Sequence, residues 1–218
     1  MNKDIIILVA DLNMKGCLDG LFQRLHDVLN INPFSYEIFV HPYRDPGCRL
    51  DAVPFLRTFQ NGYRYALVVF DKEGCGKENL SRIELETELE NNLDASGWND
   101  RAKTIVIDPE LENWVWVKSP RLAQIINWGD INKLYQWLQN SGFGLDKNNK
   151  PPFPKEAFEK ALYLSRKRRS SSIYYEIASQ VSFKGCTDQS FGKMITCIQT
   201  WFSKNNEKQK LWPGNKLK

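Results

Sequence analysis

A chain of 218 residues, 42% hydrophobic and 26% charged, has an ordinary globular composition and is long enough for one sizeable core. No apolar run approaches the roughly 18–20 residues of a membrane span, and "IIILVA" at 5–10 follows Asp4 with no small-residue cleavage site behind it, so neither a membrane span nor a signal peptide is expected. Five widely spaced cysteines and only two histidines, His26 and His41, argue against a zinc site or a disulfide framework, and the expected location is the cytoplasm.

The net charge of +4 hides two opposite halves. Residues 1–117 carry 12 Lys and Arg against 19 Asp and Glu, a net −7, while residues 118–218 carry 18 against 7, a net +11. Such a chain can bind a cation with one half and a polyanion with the other. Two solvated faces of opposite sign are the simpler reading of charge alone.

In chain order, "DIIILVAD" (4–11) reads as a buried strand, and apolar residues at helical spacing predict a helix over 18–29. A second strand is expected at 36–41, then a short helix over 50–60 with Pro54 near its first turn, and a third strand at 63–70. A long helix over 76–98 precedes a fourth strand at 103–108. Beyond residue 110 only helices are expected: three short tryptophan-rich ones, a mobile Gly/Pro loop at 142–154, three closing helices and a fraying basic tail. Apolar strands alternating with helices predict an α/β fold: a small parallel sheet of about four strands covered by helices (1–117), with an all-helical basic region (118–218) packed on it.

Open sheets of this kind bind ligands beyond the carboxyl ends of their strands. Acids gather at those positions: Asp11 after strand one, Asp71 and Glu73 after strand three, and Asp108, Glu110 and Glu112 after strand four. Carboxylates packed together repel unless a cation neutralises them, and their oxygens suit magnesium or manganese. The expected metal ligands are Asp11, Asp71, Glu73, Glu110 and Glu112, with Asp71, Glu73 and Glu112 catalytic. Each acid has a structural alternative: Asp11 as a helix cap or turn residue, Asp71 as a cap, Asp108 as an N-cap ahead of Pro109, and Glu110 and Glu112 as partners of a helix dipole.

An acid closing strand one and an Asp-x-Glu pair closing a later strand resemble the Toprim fold of topoisomerases, primases and overcoming-lysogenization-defect nucleases. "IVIDPELENWVW" resembles a group of Toprim-related domains of unknown function. Together with "VVFDKEGCG", "KPPFPKEAFEKAL" and "CTDQSFGKMITCIQTWF", it looks like the small fourth component of bacterial methylation-associated defence systems, over about residues 66–202. The resemblance implies a Toprim-like metal site holding Mg2+ or Mn2+, a setting in anti-phage defence, and other defence-system proteins as partners. Asp11 takes the place of the first-strand acid, where the family has Glu, and Asp71 and Glu73 take the paired place, where the second member is Asp. Both departures put catalysis in doubt, because a ligand displaced by about an ångström lowers activity strongly.

The strongest basic run is "SRKRRSSSIYYE" at 165–176. Arg166, Arg168 and Arg169, with Ser171 and Ser172 at the start of a helix, form the expected nucleic-acid contact. A solvated helix end is the alternative, and Tyr174 and Tyr175 are read as core. "GCGKEN" lacks P-loop spacing, and no Gly-x-Ser-x-Gly is present. The expected function is a magnesium-dependent nuclease or nuclease subunit of an anti-phage system. The alternative is a non-catalytic adaptor or regulatory subunit that binds defence-system partners or nucleic acid.

Overall fold

A computed structural model of the chain describes residues 3–184 and 186–204; the basic tail expected to fray lies outside them. Four strands, β1 (Lys3–Val9), β2 (Tyr36–Val40), β3 (Tyr63–Asp71) and β4 (Ala102–Ile107), form one all-parallel sheet in the order β2-β1-β3-β4. The middle of β1 and of β3 is fully buried, as central strands covered on both faces must be.

The connections are α1 (Leu12–Leu29), α2 (Arg44–Arg57) and α3 (Arg82–Leu93). The chain steps from β1 outward to β2, then crosses back over β1 to β3. Right-handed crossovers place α1 on one face of the sheet and α2 and α3 on the other. The direction of winding therefore reverses between β1 and β3, and open sheets of this kind place their ligand crevice beyond the carboxyl ends of such a pair.

Three helices differ from the sequence expectation. The first begins at Leu12, not residue 18, because Asp11 caps it: Oδ1 accepts the Met14 N–H at 2.8 Å. The second begins at Arg44, which leaves Pro54 inside the helix and puts Pro46 in the first turn. The third begins at Arg82, where Ser81 and Glu84 form a reciprocal capping box, and ends in a single π-helical turn, Asp94–Trp98.

The rest is helical, as expected: α4 (Glu112–Val115), α5 (Pro120–Ile125), α6 (Ile131–Asn140), α7 (Pro154–Leu164), α8 (Ser171–Gln180) and α9 (Gln189–Phe202). Helix α8 lies against α1 at backbone distance. A Cβ on Gly16 would sit 2.5 Å from the Ser171 carbonyl oxygen, and one on Gly20 would sit 2.4 Å from that of Tyr175. Helix α9 stacks Trp201 on Tyr65 of β3 and Phe202 on Phe34, with centroids 4.5 Å apart in both pairs. One hydrophobic core thus runs from Ile5 to Phe202. The 142–154 loop, expected to be mobile, is pinned. Asp146 accepts the N–H groups of Asn148 and Lys150, the buried Lys150 ammonium donates to the Asn113 carbonyl, and Trp116 Nε1 donates to the Pro154 carbonyl at 2.8 Å.

The outer edge of β4 is closed by side chains. Glu86 and Glu90 of α3 accept the Val106 and Thr104 N–H groups at 3.0 and 2.9 Å. Lys193 of α9 pairs with both carboxylates, and Arg82 pairs with Glu86. An edge strand whose donors are taken in this way has little left to offer a second chain.

Candidate functional site: a carboxylate crevice between β1 and β3

Asp11 follows β1, Asp71 ends β3, and Asp45 stands in the first turn of α2, after β2. The Asp71 N–H donates to Asp45 Oδ1 at 2.8 Å, which ties the start of α2 to the end of β3. Asp11 and Asp45 thus each have one oxygen fixed by a backbone donor. Asp71 differs: its Oδ1 is buried and has no hydrogen-bond partner. A buried polar atom left unmatched costs about 1–3 kcal/mol, so it calls for a partner such as a bound water or ion, as do Arg24 Nε, Trp98 Nε1 and Thr104 Oγ1 elsewhere in the fold.

Burial pushes the Asp71 carboxyl well above the usual carboxylate range, and the charges of Asp45, Glu112, Asp11 and Glu110 add to the push. Burial also raises Asp45, against the opposing effect of the Asp71 N–H. Beneath the crevice the buried Cys17 thiol is pushed up to about 12 by burial and by the charges of Glu112 and Asp71, so it is no nucleophile.

The two glutamates of the crevice have cationic partners from the basic half. Glu110 is buried and pairs with Lys155, at 3.1 Å. Glu112, 2% exposed, accepts from Arg169 Nη2 at 2.8 Å and from the Tyr174 hydroxyl. Arg169 also reaches Glu159 at 3.3 Å. Part of the opposite charge of the two halves is therefore spent inside the fold. Among the described residues, Asp11, Asp45 and Asp71 have no ion-pair partner.

Glu73 is not part of this cluster. The chain leaves the strand at Asp71 and turns, with the Cys75 N–H reaching the Lys72 carbonyl, so the i, i+2 alternation of a strand no longer applies. Glu73 is exposed and lines a neighbouring open cleft. Asp108 is not a helix cap either: α4 starts only at Glu112, the Asp108–Pro109 peptide is cis, and Asp108 pairs with Lys72 at 3.3 Å. Asp45, which the sequence reading missed, lies in "HPYRDPG" just past strand two, where the same strand-end rule applies.

The basic run divides. Arg169 is committed to Glu112, while Arg166 and Arg168 are exposed. Ser170 occupies the cap position of α8, but its hydroxyl bonds that of Ser172 at 2.7 Å and caps nothing. Ser171 is half-buried against α1, Tyr174 is core as expected, and Tyr175 is partly exposed and donates to Gln23.

Among the described residues, no three His, Cys, Asp or Glu side chains stand close enough as placed to hold a metal ion. Magnesium needs no such cage. It binds one or two carboxylates and keeps its waters, and Asp71, with its unmatched oxygen, and Asp11 and Asp45, which have no ion pair among the described residues, are the residues that would hold it. The chain matches no family model, no curated protein and no solved structure. No helix among the described residues is long and apolar enough to cross a membrane.

Proposed function

We propose that the crevice takes a magnesium or manganese ion and that the chain acts on nucleic-acid phosphodiesters, as a nuclease or the nuclease subunit of a larger assembly. The observation that carries this reading is the buried, partnerless Oδ1 of Asp71 near Asp11 and Asp45, three aspartates without an ion pair among the described residues, at the reversal point of the sheet. The setting in anti-phage defence, with other defence proteins as partners, rests on the sequence resemblance.

A divalent cation supplies a lowered pKa for a bound water and charge to offset the phosphate. Asp71 holds it, with Asp11 or Asp45 contributing the oxygen that the backbone leaves free. Glu112 and Arg169 act together as a buried clamp that fixes α4 against α8. The exposed Arg166 and Arg168 give the backbone of a polyanion a cationic track.

The second reading, a non-catalytic adaptor, is favoured by the exposure of Glu73 and by the Arg169 guanidinium that satisfies Glu112. Incubation of the protein with single- and double-stranded DNA and RNA, in Mg2+, Mn2+ and chelator, decides between them. Metal-dependent cleavage lost in Asp71→Asn supports the nuclease. Cleavage that survives Asp71→Asn removes Asp71 from the catalytic site, and no cleavage even with genomic partners present supports the adaptor.

A further inference from the structure

A second cleft, of about 350 Å3, opens at the ends of β1 and β2 and shares Asp11 with the crevice. Its other lining side chains include Leu12, Asn13, His41 and Arg44. That volume lies in the range of about 300–1,000 Å3 typical of small-ligand sites.

His41, Pro42 and Arg44 line one side of the cleft, and Tyr43, between Pro42 and Arg44 in the chain, lies outside the lining. His41 is buried, 6% exposed, and its Nδ1 accepts the Tyr43 N–H at 3.1 Å, which puts the proton of the neutral ring on Nε2, toward Asp51. Gly47 makes room for it: a Cβ there would lie 1.9 Å from His41 Nδ1. His41 is therefore a post under the turn, not a ligand group. On that post the turn presents Tyr43, 73% exposed, and Arg44, whose backbone N–H donates to the His41 carbonyl at 3.1 Å and whose exposed guanidinium has no ion pair or hydrogen bond among the described residues. Arg44 has a φ of 51°, a left-handed conformation that an arginine adopts only against resistance from its own Cβ. The next residue is Asp45, whose carboxylate accepts the Asp71 N–H. The five-residue turn thus carries, in order, a buried post, an exposed ring, an unpaired guanidinium and one acid of the crevice.

We infer that this cleft and its rim bind one nucleoside phosphate unit, with the phosphate on Arg44 in the cleft and the base outside it on the exposed face of Tyr43. An exposed ring offers a stacking surface to any base, and a free guanidinium matches a phosphate with two parallel donors. Leu12, 63% exposed and also lining the cleft, gives the sugar an apolar edge. The inference rests on the metal-assisted reading of the crevice only for what happens to the phosphate next to Asp11. The stacking and the guanidinium contact do not need the metal.

Fluorescence titration with a mononucleotide and with a short single-stranded oligonucleotide, each in Mg2+ and in chelator, tests it. Tyr43→Ala and Arg44→Ala should each weaken binding about tenfold in both buffers, the size of losing one stack or one charged contact. Arg44→Gly should weaken binding equally while raising the melting temperature, because glycine relaxes the left-handed backbone. A structural role alone would not separate these two readouts. The mononucleotide arm shows whether one unit suffices, and an effect of the variants on the oligonucleotide alone places the unit inside a strand. If both variants bind like the parent while Asp71→Asn abolishes a Mg2+-dependent affinity, this subsite is wrong and the metal reading stands. If binding ignores Mg2+ and Asp71→Asn but falls in the Tyr43 and Arg44 variants, the subsite stands and the metal reading fails. No binding of either ligand overturns the inference.

Discussion

The backbone N–H of Asp71 donates to Oδ1 of Asp45 at 2.8 Å, and through it the last residue of β3 holds the first turn of α2. The bond spends one Asp45 oxygen on structure and brings a second acid against a buried one. Asp71 is then kept beside Asp45 by the fold itself, with one oxygen unmatched.

A pH dependence follows. Burial and neighbouring acids raise Asp71 above its ordinary value of 3.8. A raised carboxyl contributes stability that is fully present below the unfolded pKa and is lost as pH rises through the folded pKa. In chelator, the melting temperature of Asp71→Asn should therefore gain on that of the parent as pH rises from acid to neutral. Asp45 and Glu110 shift in the same direction and keep part of the dependence in the variant. A difference between variant and parent that is constant with pH contradicts this assignment.

Removing the guanidinium of Arg169 leaves Glu112 and the Tyr174 hydroxyl buried without their cation. Arg169→Ala should cost about 3 kcal/mol in urea unfolding, the lower end for breaking a buried pair because Arg169 itself is partly exposed. Adding Glu112→Gln should recover part of the loss, giving a coupling of about 1–3 kcal/mol between the two sites. Strictly additive losses would show that they do not act as a pair.

Glu86→Ala should expose the β4 edge. It leaves the Val106 N–H without its acceptor and Arg82 without its ion pair, while Lys193 keeps Glu90, and costs about 2–4 kcal/mol. Size-exclusion chromatography should show association of the variant at concentrations where the parent is monodisperse. An equally stable and equally dispersed variant would mean that this closure contributes nothing.

The sheet was legible because each strand is a short apolar run ended by polar residues, and the acids at the strand ends located the crevice. Other features depend on long-range contacts. Glu73 looked like the twin of Asp71 because both follow strand three and match an Asp-x-Glu pair, but the turn at Lys72–Cys75 carries Glu73 out to solvent. Arg169 looked like a solvent-facing phosphate ligand because its partner, Glu112, lies far away in sequence. The stretch "KGCLDG" carried the signal for the α1–α8 crossing, two glycines four residues apart on one helix face, but nothing in it names the partner helix. Pro54 suggested a helix start because a proline inside a helix is disfavoured, and packing overrode that preference.

With Arg169 committed to Glu112, the nucleic-acid footprint of the basic run falls to Arg166 and Arg168. The double variant Arg166→Ala with Arg168→Ala should reduce the log-log salt slope of oligonucleotide binding by up to about two and leave the melting temperature unchanged. An unchanged slope would remove this segment from the contact surface.

Titration calorimetry with Mg2+ and Mn2+, on the parent and on Asp71→Asn, tests the central claim most directly. The account predicts saturable binding of the cation by the parent, weakened by at least about tenfold in Asp71→Asn. It predicts smaller losses in Asp11→Asn and Asp45→Asn, because either can supply the second oxygen, and no loss in Glu73→Gln. Binding to Asp71→Asn with the affinity of the parent, or loss confined to Glu73→Gln, would contradict it.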